Sequence, residues 1–77
     1  MDNNAESKIS VNIKKYRAQL GISQDKLSKI ADITYNTIIK IESGSNKNPT
    51  ILTLQKIASA LEVSVDDLIR NETKEGY

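Results

Sequence analysis

The sequence predicts an all-α domain of five helices, on three observations. Apolar residues recur at spacings of three and four along most of the 77-residue chain. Ser or Thr stands just ahead of several of these runs, where a helix cap is needed. No alternation of apolar and polar residues lasts long enough to compete as a strand.

The first helix is expected from about Lys8 to Leu20, with Ile9, Ile13, Tyr16 and Leu20 forming one apolar stripe and Gly21 ending it. Ser23 caps a second helix, Gln24 to Ala31, whose buried face is read as Leu27, Ile30 and Ala31. Only Asp32 and Ile33 separate this helix from the next start signal, Thr34, so the chain must turn sharply there. The third helix runs from Tyr35 to about Ser43 and is stopped by Gly44. Ser45 to Pro49 (SNKNP) is a turn-forming loop. Thr50 then caps a fourth helix with Ile51, Leu54, Ile57, Ala58 and Leu61 at spacings of three and four. Ser64, with Asp67 three residues on, resembles a capping box with a shorter acid and opens a last short helix containing Val65, Leu68 and Ile69. Residues 7–70 therefore form one domain, and 1–6 and 71–77, which have almost nothing to bury, are expected to be flexible tails.

Composition narrows the function. The chain has no cysteine and no histidine, so disulfides are excluded and a zinc site would need carboxylates alone. No metal, cofactor or small-molecule ligand is expected. There is no Gly-rich phosphate loop and no nucleophile and base pair, so no catalytic residues are assigned and the protein is read as a non-enzyme. No apolar run approaches the roughly 20 residues of a membrane span, which makes a cytoplasmic protein the expectation.

A net charge of +1 conceals a division along the chain. Between residues 8 and 56, nine Lys and Arg face only Asp25, Asp32 and Glu42, a net of +6. Residues 57–77 carry a net of −3. One part of the surface is thus suited to an anion, and solvated helix faces are the plainer account of the same charges.

Two helices joined by a tight turn, at about residues 24–43, have the organisation in which one helix braces another for the DNA major groove. At about 100° per residue, Thr37, Ile38 and Ile41 of the third helix share a core-facing side, and Glu42 lies at its edge. Ile39, Ser43 and Asn36 lie on the opposite side, with Tyr35 and Lys40 at its margins. An outward isoleucine is the anomaly of that face.

The run GISQDKLSKIADITYNTIIKIESGSNKNPTILTLQKIASALEVSVDDLI resembles the Cro/repressor-type (Xre) helix-turn-helix family, and with the first helix the similarity covers about residues 8 to 70. The family pattern has alanine where this chain has Ser28 and glycine in the turn where it has Asp32. Serine is still small, and Asp tolerates a left-handed backbone at some cost.

The resemblance implies a compact, lambda-repressor-like, DNA-binding fold. It places Tyr35, Asn36, Ile39 and Lys40 at base edges. The chemistry suits Asn36 to adenine, Lys40 to guanine and Ile39 to a thymine methyl; Tyr35 is placed for a base or a phosphate. It assigns phosphate contacts to Ser23, Gln24, Thr34, Ser43, Lys47 and Asn48. It also implies an ion pair between Arg17 and Glu42 that bridges the first and third helices. The expected partner is a double-stranded DNA operator read by a homodimer, with Val63, Val65, Leu68 and Ile69 as the dimer surface. Those same residues are also placed to close the monomer core. The implied function is a sequence-specific transcriptional regulator; an antitoxin that binds a toxin and represses its own operon is the second reading.

Overall fold

The computed structural model describes residues 7–70, which form five α-helices in the order α1 (Lys8–Leu20), α2 (Gln24–Ala31), α3 (Tyr35–Glu42), α4 (Ile51–Leu61) and α5 (Val65–Ile69). The expected flexible tails, 1–6 and 71–77, lie outside the described residues. No helix among the described residues is long and apolar enough to cross a membrane.

Every one of these helices starts the same way. Ser7, Ser23, Thr34, Thr50 and Ser64 each sit in extended backbone and accept, through the side-chain oxygen, a hydrogen bond from the amide three residues on. Each cap satisfies one of the orphan amides of a first turn and contributes about 1 kcal/mol. At α5 the box is complete, because the Asp67 carboxylate also accepts from the Ser64 amide at 3.0 Å.

Three helices also end alike. Gly21, Asp32 and Glu62 all adopt the left-handed conformation, with φ of 69°, 60° and 64°. In each case the next amide reaches back a full turn, from Ile22 to the Arg17 carbonyl, from Ile33 to Ser28 and from Val63 to Ala58. This double closure turns the chain inward and is sealed by an apolar contact. Here Ile22, Ile33 and Val63 supply it, each half-buried against the core. Glycine makes this turn without strain at α1, whereas Asp32 and Glu62 carry a side chain into a region that L-residues disfavour.

The core consists of Ile13, Leu27, Ala31, Ile38, Ile41, Leu54, Ile57, Ala58, Leu61 and Leu68. α1 packs on both α3 and α5, and α2 packs on α3 and α4, so α3 is held from behind by two helices.

Four expectations for the core are corrected. On α2, Ile30 is 49% exposed and Ser28 is buried in its place. The small residues Ser28 and Ala31 are buried with Leu27, and the Ser28 hydroxyl satisfies itself by donating to the Asp25 carbonyl at 2.7 Å. On α4, Ile51 in the first turn is 64% exposed, and the buried face begins at Leu54. On α1, Leu20 is also exposed, and the buried positions are Ser10, Asn12 and Ile13. Thr37 of α3, read as core, is only half-buried.

Candidate nucleic-acid interface

The α2–α3 turn is short because its parts close on one another. Asp32 ends α2 in the left-handed conformation, Ile33 packs inward, and Thr34 begins α3. The Thr34 hydroxyl accepts from the Thr37 amide at 3.2 Å and lies 2.8 Å from the Thr37 hydroxyl. Ile38 and Ile41 anchor the helix to the core, both fully buried.

What α3 presents outward is largely polar. Asn36 and Lys40 are exposed and Tyr35 is 50% exposed, all within the first two turns. Ile39 departs from the sequence expectation in degree: it is half-buried, and it is absent from the side chains packed against the core. Part of its surface is therefore open on the same side as Asn36 and Lys40.

Glu42, at the last turn of α3, is the buried charge of the site, its side chain 3% exposed. Arg17 of α1 grips it with two parallel bonds, Nε to Oε2 at 2.9 Å and Nη2 to Oε1 at 3.0 Å. Such a fork is the strong form of a charged hydrogen bond. The remaining guanidinium nitrogen, Nη1, donates to the Ile22 carbonyl at 3.0 Å. From α2, the Gln24 side-chain amide donates to the same Glu42 Oε1 at 3.0 Å. The main chain is held as well, since the buried Ser10 hydroxyl donates to the Glu42 carbonyl at 2.6 Å.

Sequence reasoning reached the pairing of Arg17 with Glu42 but missed the parts played by Ser10 and Gln24. A signal for Ser10 existed. It shares one face of α1 with Ile13 and Arg17, at spacings of three and four, so a polar residue beside the apolar stripe points where Arg17 points.

The residues assigned to phosphate are distributed around this centre. Ser23 is exposed and engaged in capping α2, accepting from the Lys26 amide at 3.0 Å. Gln24 is half-buried with its amide turned toward Glu42. Ser43 and Thr34 are exposed; the Ser43 hydroxyl donates to the Lys40 carbonyl and accepts from the Ser45 amide. Lys47 and Asn48 are exposed on the loop after α3, which is folded back by a bond from the Asn46 amide to the Lys40 carbonyl at 2.9 Å. Gly44, with φ of 87°, permits that reversal.

Of the residues assigned to a dimer surface, Leu68 is fully buried in the monomer core, and Val63 and Val65 pack against that core. Leu68 therefore has no surface to offer a partner, and α5 needs it to stay attached. Ile69 is the exposed member, at 45%. No cluster of carboxylates among the described residues is arranged to hold a metal ion.

The sequence and the fold both have counterparts among known proteins. A helix-turn-helix family profile, HTH_3, matches residues 13–68. The HTH-type transcriptional regulator SinR of Bacillus licheniformis is 32% identical over 69 residues, covering 90% of this chain and 62% of that protein. This chain thus spans about three-fifths of the length of that relative. A shorter protein of Bacillus subtilis, the uncharacterized HTH-type transcriptional regulator YgzD, is 34% identical over 56 residues, covering 73% of this chain and 83% of that one. Among solved structures, the N-terminal DNA binding domain of SinR from Bacillus subtilis superposes with a TM-score of 0.81 at 32% identity, covering 86% of this chain and 96% of that domain. By profile, relatives and fold, the chain belongs to the Xre-type helix-turn-helix family.

Proposed function

We propose that the chain is a sequence-specific, double-stranded DNA-binding transcriptional regulator that seats α3 in the major groove. One observation carries this reading: α3 exposes Tyr35, Asn36 and Lys40 in its first two turns while its opposite face and last turn are locked to the domain. An outward polar face on a helix that cannot reorient is what base readout requires, because each hydrogen bond to a base edge needs a fixed donor position. Asn36 pairs with an adenine edge, Lys40 donates to a guanine, and the open side of Ile39 meets a thymine methyl. Lys47 and Asn48, with Ser23, Thr34 and Ser43, set the register through phosphate oxygens and carry no sequence information. The names of the relatives, transcriptional regulators of the HTH type, support the same role.

One eight-residue helix reads only a few base pairs, so the proposed working unit is a two-fold dimer on a palindromic operator, with half-sites about 34 Å apart. Ile69 and the open edges of Val63 and Val65 are its proposed contact. The experiment is selection of bound sequences from a random duplex library at several salt concentrations. A palindromic consensus is the expected result. Binding that weakens with salt and yields no consensus overturns base readout, and a consensus without symmetry overturns the dimer.

A further inference from the structure

We infer that Gln24 is a positioning residue that ties the start of α2 to the end of α3 through Glu42. The inference rests on the proposed reading of α3 as the groove-seated helix.

α2 and α3 meet at the Asp32–Thr34 turn, and the start of α2 and the end of α3 are the two ends farthest along the chain from it. A helix of eight residues is about 12 Å long, and a rotation of about 10° at the turn displaces its far end by about 2 Å. Hydrogen bonds to base edges tolerate only a few tenths of an ångström. Packing of Ile38 and Ile41 and the Arg17 fork hold α3 to the domain. The bond from Gln24 Nε2 to Glu42 Oε1 at 3.0 Å adds a direct tie between the far ends of α2 and α3. Its acceptor is itself immobile, because Glu42 is enclosed, forked by Arg17 and tied through its carbonyl to Ser10.

The chemistry of the amide follows from this. Glu42 has only acceptors to offer, so Gln24 must turn its NH₂ inward, and its carbonyl oxygen faces away from the carboxylate. One of the two amide hydrogens is thereby committed to Glu42, and through it the side chain serves DNA by helping to fix α3. Gln24→Leu keeps the approximate size and removes the donor, and Glu42→Gln keeps the shape and removes the charge.

The experiment is a double-mutant cycle on DNA binding with Gln24→Leu, Glu42→Gln and the pair. It uses the selected consensus duplex and duplexes changed singly at positions read by α3, at a temperature where circular dichroism shows each variant folded. Positioning predicts that each single change weakens consensus binding about tenfold and that the double variant is no weaker than the worse single one. Preference for consensus over changed duplexes falls in both. If Glu42→Gln does not fold, Gln24→Leu decides alone: reduced preference supports positioning, whereas equal loss on all duplexes, or no loss, overturns it. Multiplying effects in the cycle also overturn it. Failure of the underlying reading has a different signature, since the unaltered protein would then select no consensus.

Discussion

Asn12 of α1 holds the end of α5 across 56 residues of sequence, donating through Nδ2 to the Leu68 carbonyl at 2.8 Å and, 58 residues away, to the Arg70 carbonyl at 2.9 Å. A helix of five residues has too few internal bonds to persist by itself, so α5 depends on this grip and on the buried Leu68. Asn12→Ala leaves terminal carbonyls without a donor in a partly buried setting, and a loss of about 2 kcal/mol is expected. Urea unfolding checks the magnitude.

Arg17→Ala strands the Glu42 carboxylate with only Gln24 as partner. Because Arg17 keeps 22% exposure and water reaches that side, the expected loss is on the order of 3 kcal/mol, toward the low end for broken buried pairs. The double change Arg17→Met with Glu42→Leu removes both charges and is expected to cost less than Arg17→Ala. Thermal melts of the three proteins test this; an unchanged melting temperature for Arg17→Ala contradicts the assignment.

Base readers and phosphate contacts separate by pattern. Asn36→Ala or Lys40→Ala is expected to relax preference at one base position, with about 1 to 3 kcal/mol at stake per contact. Lys47→Ala is expected to weaken all duplexes alike and to reduce the salt dependence by about one ion. Ile39→Ala should weaken sites with thymine at one position, with a stability loss of about 1 kcal/mol or less, since the side chain is only half-buried. Competition binding with single-base variants reads all four.

Asp32→Gly relieves a left-handed aspartate at φ 60°, and a gain of roughly 1 kcal/mol is expected after the added freedom of the unfolded chain is set against it. It also removes a negative charge beside the proposed DNA face, so affinity should rise rather than fall. Calorimetry and a binding titration measure the two effects independently.

The Ser64 backbone and hydroxyl bonds hold the Asp67 carboxyl below its ordinary value of 3.8 against the opposing effect of desolvation, with lesser help from the nearby Arg70 and Lys15 charges. A depressed folded-state value means that the stabilisation is complete above that ordinary value and is lost as pH falls through the lower folded-state one. The gap in melting temperature between the unaltered protein and Asp67→Ala should therefore be constant near neutral pH and close in strong acid. A gap that widens in acid contradicts the capping role.

The sequence by itself determined what is local. Ser23, Thr34, Thr50 and Ser64 announced four helix starts because a cap acts over three residues, and Gly21 and Gly44 marked reversals because only backbone freedom is at issue. The apolar spacing identified Ile13, Leu27, Ile38, Ile41, Leu54, Ile57 and Leu61 as core for the same reason, and the family motif supplied the helix-turn-helix and its pairing of Arg17 with Glu42. Tertiary structure decided what depends on which helix lies behind a face. Ile30 and Ile51 fit a helical stripe yet stay exposed, while the polar Ser10, Asn12 and Ser28 are buried, and each donates to a carbonyl there. Gln24 shows the limit most clearly. Its residue type at the start of α2 suggested a phosphate ligand, and only the return of α3 alongside it gives its amide an inward partner.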